Sequence, residues 1–338
     1  MIASQTRQAA PQRAGGASSQ PKQGRMTLSS VKKGKVTTPP RLLVYGMEGV
    51  GKTTFAAGAP DPVFLCSESG TNFLDVARFP TPETWEDVLD VVRVLTEEDH
   101  NYKTLVIDTI DWLEPLVWDY VVRNANLGKD SRHPRSIEEV GGGYGKGYLA
   151  ALDQWLILLS QLERMVSLRK IGIVLVAHTH VRSFVNPEGA DFDRYELKLD
   201  KKLAGKLKEW ADDLLFAMFV SLTESEGRHK TSRNKKSYRE LRTERCMAYD
   251  AKSRCGLPNP IPMDWEDYAA ARSAGMAPSV GDIIAEIRAM AEEIGSDCSA
   301  GLEWAGDDPN RLVRLRNKVR SAVDAARLEA GQATEKGA

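Results

Sequence analysis

Four short apolar runs recur along the first half of the chain, Leu42-Leu43-Val44-Tyr45, Val63 to Cys66, Thr104 to Ile107 and Ile171 to Ala177, each continuous rather than alternating. Between them, residues 84–96, 111–126 and 147–169 carry apolar positions at helical spacing. A strand without a polar face must be covered on both sides, so the pattern predicts an α/β fold with a mainly parallel central sheet flanked by helices. Past Ala177 come a charged stretch from Arg182 to Lys208, an apolar run from Leu214 to Val220 and a basic segment from Arg228 to Arg239. These predict strands and hairpins appended to the sheet. Residues 258–279, rich in Pro, Ala and Ser, read as a linker, and helical patterns at 280–294 and 309–330 form a small C-terminal appendage.

Composition adds boundaries. With 338 residues, 42% hydrophobic and 28% charged, the chain can bury a core, which excludes wholesale disorder. Lys and Arg number 46 against 47 Asp and Glu, so affinity for an anionic polymer must come from how charge is arranged. Residues 1–40 contain no Asp or Glu but carry Arg7, Arg13, Lys22, Arg25, Lys32, Lys33 and Lys35. They read as a basic, solvated arm able to touch nucleic acid weakly. The division expected is an arm at 1–40, a core at 41–265, and a linker with C-terminal helices at 266–338. The four cysteines form no C-x-x-C pair, so neither a zinc knuckle nor a disulfide framework is readable. Free thiols, no targeting segment and no apolar stretch near the ~20 residues of a membrane span predict a cytoplasmic protein without a membrane.

The decisive chemistry is Gly46-Met47-Glu48-Gly49-Val50-Gly51-Lys52-Thr53, which fits G-x-x-x-x-G-K-[ST] between a predicted strand and a predicted helix. Glycines let successive backbone N–H groups converge on phosphate oxygens, and the helix N-terminus adds partial positive charge. Gly46, Glu48, Gly49, Val50, Gly51, Lys52, Thr53 and Thr54 are therefore the candidate ATP-binding set, with Lys52 reaching the β and γ phosphates. Thr53 would offer its hydroxyl to Mg²⁺, and Asp108, ending the run Leu105-Val106-Ile107, would hold that ion through water. Glu68, just past the second strand, is placed to activate the attacking water or is a surface loop acid. A GTPase is disfavoured, because Asp108-Thr109-Ile110-Asp111 lacks a following glycine and Asn234-Lys235-Lys236-Ser237 lacks the acid of N-K-x-D.

Together with Val176-Ala177-His178-Thr179-His180 and Ala251-Lys252-Ser253-Arg254-Cys255-Gly256-Leu257-Pro258, these motifs make residues 40–265 resemble the RecA-like P-loop ATPases, most closely phage-type single-strand annealing and recombination ATPases. The resemblance implies that Glu68 is the catalytic base and that His178 is a polar sensor of the γ-phosphate. Recombinases proper often carry Gln there, so His178 is a departure. A hydrogen-bonded strand-end turn is the plainer account of His178 and His180, and a metal site lacks a third ligand. The resemblance further implies that Lys252 and Arg254 reach into a neighbouring subunit's site, a finger worth about 10³ to 10⁵ in rate. Activity would then require a homo-oligomeric ring or filament.

By the same resemblance, single-stranded DNA would meet the loop after the helix that follows the Asp108 strand and the loop after the sensor strand. The first holds Arg132, Arg135, Lys146 and Tyr144, the last on a glycine-rich loop where its ring could stack on a base. Arg182 belongs to the second, and Lys235 and Lys236 lie in the basic stripe, which otherwise reads as a solvated face. The resulting expectation is a Mg²⁺-dependent, DNA-stimulated ATPase acting on single-stranded DNA, with a single-strand-binding protein as a further candidate partner. A ring helicase or loader ATPase, a small-molecule kinase and a nucleotide-dependent adaptor are the alternatives.

Overall fold

The structure, a computed structural model, describes residues 30–31, 33–67, 71, 73–125, 132–187, 189–226, 231–276 and 280–308, most positions of 311–327, and only the backbone of 221–226 and 231–237. The chain falls into two units, Met1–Lys35 and Val36–Ala338, and every element below belongs to the second. Of the basic arm, Arg7, Arg13, Lys22, Arg25 and Lys32 lie outside the described residues.

The predicted runs form β1 (Arg41–Gly46), β2 (Pro62–Cys66), β4 (Thr104–Asp108) and β5 (Gly172–Phe184), joined by β3 (Ala77–Arg78) and β7 (Asp213–Glu226). With β8 (Thr231–Arg242) and β10 (Ile261–Pro262), the sheet order is β10-β8-β7-β1-β5-β4-β2-β3. From β7 to β3 every pairing along this path is parallel. The antiparallel part consists of β8 and β9 (Lys252–Ser253) beside β7, β10 beside β8, and β6 (Phe192–Leu197) folding back on β5. The α/β class and the appended hairpins are thus as read from the sequence.

Both faces of the parallel strands are apolar because both are covered. Leu43, Tyr45, Leu105, Ile107, Ile173 and Leu175 face one core with α2 (Trp85–Glu97), α3 (Glu114–Arg123), α4 (Lys146–Arg169) and α5 (Lys201–Trp210). The alternate positions Leu42, Val44, Phe64, Val106 and Val174 face the other, against α1 (Lys52–Ala57) and α6 (Trp265–Met276). This is the period-two alternation of a strand, apolar on both sides. A capping box of Thr84 and Asp87 starts α2.

The stretch read as linker contains α6, whose Trp265 and Tyr268 pack their rings 5.4 and 6.0 Å from Phe55. Two aromatic anchors hold this helix where its Ala-rich remainder gives little amphipathic signal. The appendage comprises α7 (Val280–Glu293), α8 (Ser299–Ala305) and a following helical segment, packed around Ile283, Ile287, Ala305 and Leu312. Among the described residues, no helix is long and apolar enough to cross a membrane.

Candidate nucleotide site

The phosphate loop leaves β1 at Gly46 and enters α1 at Lys52. A Cβ on Gly46 would run into the carbonyl oxygen of Ala217 on β7, so only glycine lets these two strands lie side by side. Gly49 and Gly51 adopt φ values of 74° and 100°, the left-handed region that turns the loop back over the strand end. Val50, fully buried, pins the loop to the core beneath α1. Lys52 is buried too, and its Nζ donates to the carbonyls of Gly46 and Met47, both at 2.9 Å.

Strand order explains what gathers beside the loop. Because β5 lies between β1 and β4, Gly46 pairs with His178 while Asp108 pairs with Val176, so His178 stands between the loop and the Asp108 strand end. A cavity of about 480 Å³ is lined by Glu48, Gly49, Gly51, Lys52, Thr53 and Thr54 from the loop and α1, and by Phe73, Leu74, Asp108, Thr109, His178 and Arg239 from other elements. Such a crevice at the carboxyl ends of parallel strands is where open α/β sheets bind ligands. The Thr53 hydroxyl and the buried Asp108 carboxylate on its two sides are hard oxygen donors and suit Mg²⁺.

Ser67 closes the floor on the far side. Its backbone N–H donates to the Asp108 carbonyl, and its hydroxyl both donates to the Thr109 carbonyl and accepts from the Thr109 N–H, each at 2.9 Å. Glu68, the next residue, lies outside the described residues.

His178 is held from below. Its backbone N–H and ring Nδ1 both bond to Asp111, at 2.9 and 2.8 Å. Burial pushes the Asp111 carboxyl up, but these two bonds and the nearby imidazole outweigh it and hold it below the usual carboxylate range. An ionised carboxylate only accepts, so Nδ1 is the donor and Nε2 is the ring nitrogen left for the cavity. One turn on, burial pushes the Glu114 carboxyl up to about 7, with the charges of Asp200 and Asp111 acting the same way and the bond from the Asp200 N–H opposing.

Lys252 and Arg254 lie elsewhere. The strand β9 pairs with Asp213 and Leu214 at the start of β7, whereas the phosphate loop lies level with Ala217. Arg254 donates to Asp212 and to the Glu209 carbonyl, at 3.0 and 2.8 Å, and Lys252 to the same carbonyl at 3.4 Å. Asp212 also takes Arg41, and although burial raises its carboxyl, the hydrogen bond and charge of Arg41 hold it low. Burial and the neighbouring Arg254 charge push the Lys252 ammonium down. Neither residue reaches its own chain's phosphate loop.

Of the nucleic-acid candidates, Arg132, Arg135, Tyr144 and Lys146 are exposed, Tyr144 at 99%, among glycines at positive φ. The 24 residues of α4 span about 36 Å and end beside the start of β5, so this loop sits at the phosphate end of the sheet. Lys146 Nζ is bonded to the Gly141 carbonyl at 3.0 Å. Arg182 is exposed on the β5–β6 hairpin, opposite Arg194. Lys235 and Lys236 lie on β8, their side chains outside the described residues.

Asp111 and Arg239 are the residues that motif reading passed over as site members. The D-x-x-D spacing of Asp108 and Asp111 after a buried strand was a usable signal for the first. Arg239 stood in a run of basic residues and carried none. Phe73, 97% exposed at the cavity edge, is likewise visible only in the structure.

A protein-family profile described as AAA domain matches residues 38–255. No curated protein matches the sequence. Among solved structures, the RadB recombinase is similar at 18% identity over 63% of this chain and 92% of its own, with a TM-score of 0.33. The flagellar accessory protein FlaH from Methanocaldococcus jannaschii is similar at 12% identity over 66% of this chain and 85% of its own, with a TM-score of 0.32. At such TM-scores neither likeness adds to the fold, which stands on strand order and loop geometry.

Proposed function

The chain belongs to the AAA domain family, and on that premise we propose that it binds and hydrolyses ATP with Mg²⁺ and acts on single-stranded DNA, in recombination or annealing, as a ring or filament. The observation that carries the nucleotide half is the single cavity shared by Lys52, Thr53, Asp108 and His178. In this reading the loop amides and Lys52 hold the β and γ phosphates, with Lys52 exchanging its carbonyl partners for phosphate oxygens. Thr53 and Asp108 hold Mg²⁺, which when bound neutralises charge on the β and γ oxygens. The water-activating carboxylate of this reading is Glu68, the residue that follows Ser67 in the chain. His178 reads the γ-phosphate through Nε2, the nitrogen Asp111 does not use, and donates there when the ring carries both protons.

The DNA half rests on position. Tyr144, Arg132, Arg135 and Lys146 project at the phosphate end, where a stacking ring among cations suits a single strand, and Arg182 is exposed on the hairpin that continues the His178 strand. Lys235 and Lys236, on β8, complete the DNA candidates of this reading. Lys252 and Arg254, remote from their own loop, are assigned to a neighbour's site. A single-strand-binding protein is the further partner this reading admits. The test is ATP hydrolysis by the purified chain across a protein concentration series, with and without single-stranded DNA. A rate that climbs steeply with concentration and with DNA is expected. A rate indifferent to both would remove the DNA and assembly halves and return Tyr144, Lys252 and Arg254 to surface roles.

A further inference from the structure

We infer that Arg239, on the β7–β8 hairpin, binds the polyphosphate of the nucleotide held by its own chain; this rests on the ATP reading above. The guanidinium lies directly against the phosphate loop. A Cβ placed on Gly51 would meet Arg239 Nη1 at 2.7 Å and its Cζ at 3.5 Å. Arg239 lines the large cavity together with Lys52, Thr53 and Asp108. It also lines a smaller one of about 220 Å³ with Gly51, Thr54, Asp264 and Glu266. The side chain therefore bridges the two spaces that meet over the loop.

What holds Arg239 there is an uncharged platform. Phe219 and Arg239 are direct cross-strand partners, so their side chains share a face of the hairpin, and the guanidinium stacks 5.3 Å from the Phe219 ring centroid. Among the described residues no carboxylate pairs with Arg239, although Glu48, Asp264 and Glu266 line the same cavities. Arg254, the other candidate finger, already has Asp212. A guanidinium fork that is stacked, unneutralised and in contact with a glycine of the phosphate loop has the geometry to take phosphate oxygens in pairs. Its position in the chain's own hairpin makes the contact independent of assembly.

The test is calorimetric titration of MgATP into the full-length protein, its R239A, R239K and K52A variants, and an R239A/R254A double variant beside R254A. Arg239 is exposed, so R239A is expected to melt like the wild type. MgATP binding should weaken about tenfold or more in R239A and recover only in part in R239K, which lacks the fork. The same loss should appear in the R254A background and at every protein concentration. Binding by R239A within about twofold of wild type, while K52A loses it, would overturn the inference and leave the ATP reading intact. A loss confined to concentrations at which the chain assembles would overturn the own-chain assignment. Absence of MgATP binding by the wild type would overturn both.

Discussion

The two ends of the parallel sheet treat charge in opposite ways. At the amino end of β7, Asp213 is fully buried and accepts from Tyr268 at 2.9 Å, from Ser253 at 2.8 Å and from Arg272, while Asp212 takes Arg41 and Arg254. Apart from Lys252, which donates to the Glu209 carbonyl, these charges are closed against one another, and burial with the Asp213 charge beside it raises the Tyr268 hydroxyl well above its ordinary range. At the carboxyl end, Lys52 rests on backbone carbonyls, Arg239 on an aromatic ring, and His178 keeps one ring nitrogen out of its bond to Asp111. Closed ion-pair networks brace a fold; a guanidinium stacked on a ring, like Arg239, is one an anionic ligand can recruit.

The contrast predicts that substitutions at one end remove activity and at the other remove stability. The largest effect expected is for Lys52→Ala, which should lower ATP turnover by about 10³-fold while its circular dichroism spectrum stays that of the wild type. Wild-type turnover in that variant would end the phosphate assignment. Next, Asp213→Ala leaves Arg272 buried beside only the more distant Asp212, and should cost about 3–5 kcal/mol in denaturant unfolding. A loss under about 1 kcal/mol would show that the amino-end network is not the brace described.

Glu114 sharpens the comparison, because it is a carboxyl at the phosphate end that burial disfavours as an anion. Its value in the fold, about 7, lies above the ordinary 4.5. Protonated Glu114 is therefore the form the fold prefers. The stability it confers is complete below the ordinary value and is lost as pH rises through about 7. Glu114→Gln, neutral throughout and still able to accept from the Asp200 N–H, should match the wild type near pH 4 and exceed it at pH 8, with a ceiling of about 3 kcal/mol. Parallel thermal melts at the two pH values decide it, and an identical gap at both would refute the assignment.

Much of this is legible in the sequence. Continuous apolar runs such as Leu42 to Tyr45 report burial on both faces, a local property, and the phosphate loop is eight consecutive residues. Helix α5 was harder, since Leu203, Ala204 and Leu207 give a short apolar stripe inside a Lys-rich stretch. Helix α6 depends on Trp265 and Tyr268 finding Phe55, a contact made across more than half of the chain. The bond between Asp111 and His178 joins residues 67 apart and exists only because β5 inserts beside β4. Arg239 and Arg254 look alike as sequence; a cross-strand phenylalanine and a buried aspartate send them to different fates.

The smallest effect expected is also the most specific, because it tests orientation rather than presence. In Asp111→Asn the side-chain oxygen can still accept from the His178 N–H, but the amide then offers an N–H to Nδ1 where Asp111 offered an acceptor. Neutral His178 would shift to the tautomer that carries its proton on Nε2, which ¹⁵N shifts of the imidazole report directly. The ring would keep its place beside the loop and lose its anionic partner. Turnover should therefore fall about tenfold with KM little changed, the mark of a contact used mainly in the transition state. A rise in KM at constant kcat would make the Asp111–His178 pair a part of nucleotide binding instead. An unchanged ¹⁵N pattern would show that Asp111 does not set the ring's proton.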